Sequence, residues 1–315
     1  MIHEYALEPE LVASWHDRLL GRFFIEQFGF GTGRVVSRYP RRWRRLVWDA
    51  FQAAFGAEAG EIERKRVEEL LARLTAPEVR RPGCVWDDAR AWLQNAEREN
   101  ERRPFYAILS RDNPRGQPDV VRADDILDGT PEAWLAPGSI VVERTAASMA
   151  DGVGSMLLCA TRILFVDPHF RATKPEFNRP LSAFLKIVRA ADSQAKIELH
   201  TADRADAPPW DSFRRECEDY LPRIVPRSLT LVVRRWKNRV GGERLHNRYI
   251  LTDLGGVQFG VGLDDGDPGT TDDVTLLSAE AFRRRLEAYS GPARAFDLEG
   301  EVEIKGEAGA DQDRN

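Results

Sequence analysis

The feature that most constrains the fold is a change of rhythm near residue 140. Beyond it, short apolar runs alternate with amphipathic stretches of helical period. Met149, Val153, Met156, Leu157 and Ala160 fall on one helical stripe. Residues 163–166 are an unbroken apolar run ending at Asp167-Pro168, the pattern of a strand covered on both faces. Leu181, Phe184, Leu185 and Val188 give a second helix, residues 196–200 alternate as a strand, and Trp210, Phe213, Cys217 and Tyr220 give a third helix. Residues 229–233 form a further strand. Residues 245–251 and 257–261 are joined at Asp253-Leu254-Gly255-Gly256, a hairpin signal. Phe282, Leu286 and Tyr289 close with a helix. The order β-α-β-α-β-β-β-α predicts an α/β domain over residues 141–298, a mixed sheet flanked by helices with 245–251 near its centre.

Residues 1–140 read as a mainly helical region with irregular connections. Its clearest helix is 61–74, where Val67, Leu70, Leu71 and Leu74 make a stripe and Glu61 and Lys65 can pair at i,i+4. Residues 89–102 predict another helix, stopped before Pro104. Residues 105–109 could form a short strand. The loop-like stretch 131–138 is the expected boundary. Residues 299–315 carry six acids and little apolar content, so a disordered acidic tail is expected there.

Within the second region His246-Asn247-Arg248-Tyr249-Ile250-Leu251-Thr252-Asp253 reads H-x-R-x-x-x-x-D. As a strand it sends His246, Arg248 and Ile250 to one face and Leu245, Asn247, Tyr249 and Leu251 to the other. An imidazole beside a guanidinium suits a phosphate: the first can attack phosphorus or move protons, and the second grips oxygens bidentately. Asp167 and His169 follow a strand end, where ligands gather in such sheets, so His169 is a candidate second acid-base group. His200, also near a strand end, is a lesser candidate, while His3 and His16 read as ordinary.

The three segments Ile163–Phe170, His246–Asp253 and Val257–Asp264 together resemble a single phospholipase D-type domain, with its early strand, its H-x-K-x-x-x-x-D signature and the glycine turn that follows. The resemblance covers about half the chain. It implies that His246 would be a nucleophile forming a phosphohistidine, with Arg248 in the place of the Lys and Asp253 matching the Asp. A second His would come from a second copy of the motif, so a catalytic chain would act as a homodimer. The family's G-S-x-N is replaced by Gly260-Val261-Gly262-Leu263. Leu245-His246-Asn247-Arg248 and Gly260-Val261-Gly262-Leu263-Asp264 are closer to the C-terminal phospholipase D-like domain of microtubule-interacting-and-trafficking proteins. That group implies a fold kept without hydrolysis, binding membrane phosphoinositide.

Arg38, Arg41, Arg42, Arg44 and Arg45 lie among Tyr39, Trp43 and Trp48, a pattern that could track a nucleic-acid backbone and stack bases, or else dress a helix. Asp264, Asp265, Asp267, Asp272 and Asp273 crowd a Gly/Pro loop, read as a solvated acidic loop rather than a cation site. The three cysteines lie far apart, so neither a zinc site nor a disulfide framework is expected, and no cofactor is implied. The net charge of -5 leaves any polyanion contact to a local patch. No apolar run spans a bilayer and no signal peptide is visible, so a cytoplasmic protein is expected. The Arg-over-Lys bias suggests a high-GC bacterium. An unfamiliar first region joined to such a module suggests a phage-defence or mobile-element component, with residues 1–140 as the arm for a protein partner. The two functions are then a binder of a phosphorylated ligand through a degenerate site and a homodimeric phosphodiesterase or nuclease.

Overall fold

The structure is a computed structural model that describes residues 1–307 apart from 30, 57–58, 130, 192–194 and 292–293. The chain folds as two compact units, Ile2–Pro137 and the part from Gly138 onward. Among the described residues no helix is long and apolar enough to cross a membrane.

The first unit is richer in helix than in strand, as expected, but its helices surround a sheet that the sequence reading did not anticipate. Its elements are β1 (His3–Leu7), α1 (Pro9–Ser14), α2 (Arg18–Gln27), β2 (Arg34–Arg38), α3 (Trp43–Phe55), α4 (Glu61–Arg73), β3 (Glu78–Arg80), α5 (Trp92–Arg102), β4 (Ala107–Ser110), β5 (Val120–Arg122) and α6 (Ala123–Asp128). The strands form an all-parallel sheet in the order β3-β2-β1-β4-β5. The short strand expected at residues 105–109 is present as β4, but the others hid in the sequence because each has only three to five residues and buried polar groups such as Glu4 and Ser37 interrupt their apolar runs. Glu4 on β1 is one. It accepts from Ser37 Oγ at 2.7 Å and pairs at 2.7 Å with Arg81, whose other partner is Glu99 at 2.9 Å. The Arg81 side chain is fully buried and lies over the Phe105 ring at 3.8 Å. On the other face Tyr5 and Leu7 join Trp43, Val47 and Phe51 of α3 and Val67 and Leu70 of α4 in one core. The predicted helix 61–74 and its Glu61–Lys65 pair, at 2.7 Å, are present.

The second unit contains β6 (Ser139–Glu143), α7 (Ala146–Cys159), β7 (Arg162–Val166), α8 (Pro175–Ala190), β8 (Lys196–Ala202), α9 (Trp210–Tyr220), β9 (Thr230–Asn238), β10 (Arg248–Thr252), β11 (Gly256–Phe259), β12 (Thr271–Leu276), α10 (Ala279–Ser290) and β13 (Phe296–Lys305). They build an eight-stranded mixed sheet in the order β13-β9-β8-β7-β10-β11-β12-β6. The strands β7, β8 and β9 run parallel, and every other pairing is antiparallel. On one face Leu164, Val166, Trp236, Tyr249 and Leu251 pack with Phe282 and Tyr289 of α10. On the other, Phe165 stacks on Phe184 of α8, ring centroids 5.5 Å apart.

Two expectations are corrected here. The central strand starts at Arg248, not at residue 245. β7 supplies no partner before Tyr249, which pairs with Val166, and β11 ends at Phe259 opposite Arg248. Leu245, His246 and Asn247 therefore have no neighbouring strand to join. The second correction is the acidic tail: residues 299–305 lie within β13, paired along β9 from Thr230 to Asn238. Period-two alternation explains it. Val302 and Ile304 are buried, while Glu299 bonds Arg235 and Lys237 and Glu301 bonds Arg234. The rest of the expected tail, residues 308–315, lies outside the described residues.

Candidate functional site at the carboxyl edge of the second sheet

Because β7 and β8 run parallel and β10 runs against them, one edge of the sheet collects the ends of β7, β8 and β11 and the start of β10. Asp167, His169, Arg204, Arg248 and the turn after β11 belong to this edge. His246 enters it just before β10, exposed, with Nδ1 3.2 Å from the Arg244 carbonyl.

Asp167 is the anchor. It is buried, accepting from the backbone N–H of His169 at 2.8 Å and of Leu263 at 2.9 Å. One carboxylate thus ties the end of β7 to the glycine turn. Burial pushes its carboxyl up to about 6, against the Leu263 hydrogen bond and the Arg248 and Arg204 charges that favour its ionised form. Arg248 and Arg204 therefore both bear on Asp167. Arg248 itself is half-buried, and its Nε has no hydrogen-bond partner.

Asp272, buried at the start of β12, fixes the other side of that turn. Its carboxylate accepts from the N–H groups of Gly260 at 2.9 Å, Val261 at 3.0 Å and Gly262 at 3.4 Å. The turn holds its own internal anion there, in a cradle of backbone donors. Two more acids of this loop are also engaged: Asp264 pairs with Arg144 at 2.8 Å and Asp265 with Arg179, while Asp267 and Asp273 are exposed. Asp272 and Asp264 are thus structural rather than part of a solvated loop, a role that no local sequence pattern announces.

His169 is not a free acid-base group. Its Nε2 lies 2.9 Å from a terminal nitrogen of Arg204. A guanidinium cannot accept, so Nε2 must, and the ring is the neutral Nδ1–H tautomer. Arg204 also pairs with Asp206, through Nε at 3.0 Å and a terminal nitrogen at 3.3 Å. Arg204 was absent from the sequence reading because nothing near it in the chain marks it.

Asp253 lies at the opposite end of β10. It accepts from the N–H groups of Thr161 at 2.9 Å and Arg162 at 3.1 Å, so it holds the start of β7 and stands apart from His246 by the length of the strand. His200 is fully buried and stacks on Trp236. It accepts from Trp236 Nε1 at 3.0 Å on Nδ1 and faces Glu198 at 3.1 Å with Nε2. Burial holds it below the ordinary histidine range. Glu198 is buried too, which alone would raise its carboxyl, but His200, Arg234 and Arg162 draw it down to about 2.

In the first unit the arginine cluster is internally paired. Arg38 and Arg44 share Glu78, at 3.5 and 2.6 Å, Arg42 pairs with Asp88, and Arg45 faces Asp49 at 3.6 Å. Arg41 is exposed. Trp43 is buried, donating to the Leu7 carbonyl at 2.7 Å, so it offers no ring to a base.

No family model matches the chain. No curated protein matches it. Among solved structures, one described as "Structure of TrmBL2, an archaeal chromatin protein, shows a novel mode of DNA binding" aligns at 12% identity over 78% of this chain and 80% of that one, with a TM-score of 0.26. A likeness that faint carries no argument about fold or function.

Proposed function

We propose that the second unit is a phospholipase D-like module that binds a phosphate group at this sheet edge, through Arg248 and His246, without cleaving it. The observation that carries the reading is Arg248: a half-buried guanidinium whose Nε has no hydrogen-bond partner, beside a buried carboxylate that does not ion-pair with it. A buried donor left unmatched costs free energy that an anionic ligand would recover. Three features speak for binding over hydrolysis. His169 has its Nε2 committed to Arg204, Asp253 serves the far end of the strand, and Asp272 fills the backbone cradle of the glycine turn.

A second reading, the homodimeric phosphodiesterase or nuclease with His246 as nucleophile, is favoured by one observation: His246 is exposed and so is accessible to a second copy. One titration separates the two. Wild-type, Arg248→Ala and His246→Ala proteins are titrated with inorganic phosphate and incubated with bis(p-nitrophenyl) phosphate. The binding reading expects phosphate affinity to fall about tenfold or more in Arg248→Ala, with no p-nitrophenolate from any protein. Release of p-nitrophenolate that His246→Ala abolishes would establish the second reading. Phosphate affinity that ignores Arg248→Ala would defeat the first.

A further inference from the structure

On the same edge as Arg248 lies a small cup. Pro168, His169, Arg171, Arg204, Asp206 and Arg235 are among its walls, around a cavity of about 50 Å³. A water needs roughly 10–15 Å³ by the same measure, so the cup admits a group of a few heavy atoms and excludes a nucleobase. Its lining mixes apolar groups, Phe170 and Phe213 among them, with three arginines and Asp206. Arg235 is fully buried and committed to Glu299 and the Pro208 carbonyl, so neither its donors nor an unpaired charge is left for a ligand. Arg171 gives one terminal nitrogen to the Asp206 carbonyl at 3.1 Å, while its Nε is buried without a partner. Arg204 spans His169 and the Asp206 carboxylate, and that carboxylate is mostly exposed and the most easily displaced group in the set.

We infer that this cup is a terminal-phosphate pocket, with Arg204 and Arg171 as its donors and Asp206 as the internal carboxylate that an incoming phosphate displaces. The inference rests on the reading that this edge takes phosphate, and it names the class: a phosphomonoester rather than an internal diester. A small cup with Arg171 and Arg204 in its wall suits a group with three free oxygens and one ester bond pointing out. A diester would have to leave the cup on two sides. Arg204 would exchange one bidentate carboxylate for a phosphate dianion, keeping its geometry.

The probes are methyl phosphate and dimethyl phosphate, titrated calorimetrically into wild-type, Arg204→Ala, Asp206→Asn and Arg248→Ala proteins. The expected result is preference for methyl phosphate, an affinity loss of about tenfold in Arg204→Ala and a gain of about threefold in Asp206→Asn. Asp206→Asn removes only an exposed charge, so it reports on the pocket even if Arg204→Ala disturbs the loop. Loss in Arg248→Ala with neither Arg204→Ala nor Asp206→Asn changing affinity overturns the cup and leaves the edge reading standing. Loss in Arg204→Ala alone keeps the cup and removes Arg248 from the site. Equal affinity for the two esters overturns the monoester assignment, and no binding of either overturns both.

Discussion

Asp167 and Glu198 are two buried carboxylates with opposite pH behaviour. Asp167 titrates near 6 in the fold and near 4 unfolded. Between those values the folded state holds the extra proton, so this group's contribution to stability falls as pH rises from about 4 to 6. Asp167→Asn should remove that downward slope, measured as the difference between wild-type and variant urea-unfolding curves across the window. A difference curve that is flat there would mean the carboxyl is not desolvated. Glu198 is the reverse: its carboxyl is held at about 2, so it stabilises above its unfolded value and loses that contribution as pH falls toward 2. Glu198→Gln leaves Arg162 and Arg234 without their shared partner, and a loss of about 3 kcal/mol is expected at pH 7, read from the denaturation midpoint. The motif residues His246 and Arg248 were legible because their types and spacing are local. Arg204, Asp272 and Glu198 were not, because their partners lie on other elements and no spacing in the chain reveals them.

At the scale of elements, legibility followed periodicity. The helix at 61–74, the run 163–166 and the hairpin at 253–256 each satisfy a local pattern, and the structure contains all of them. In the first unit only the strand at 105–109 passed that test; β1 and β2 failed it because they are short and carry Glu4 and Ser37 inside. β13 failed for another reason. Its acids suggested solvent, but they form one side of a ladder whose other side is Arg234, Arg235 and Lys237 on β9. Val302→Asp, which puts a charge on the buried side of that strand, should cost about 2–3 kcal/mol. Glu303→Lys, on the exposed side, should cost under 1 kcal/mol. Equal costs would mean that the strand is not held by its inward face. In the other unit, Arg81→Ala removes the buried cation shared by Glu4 and Glu99, and should lower stability by about 3 kcal/mol in chemical denaturation.

For the molecule as a whole, the mixed α/β architecture of the second unit could be read from the alternation of runs, whereas strand order could not, because it depends on pairings far apart in the chain. The sheet of the second unit places its first strand, β6, and its last, β13, on opposite edges. Seven inter-strand steps at roughly 4.8 Å set those edges about 34 Å apart, so joining them in a circular permutant would need a linker of some ten extended residues or more. The order of synthesis matters as well. β6 pairs only with β12, Ser139 against Thr275. A ribosome adding about 5–20 residues per second leaves that strand without its partner for roughly 7 to 27 seconds while the intervening chain is made. The first strand of this unit is thus among the last to be secured, and it waits unpaired while most of the unit is made.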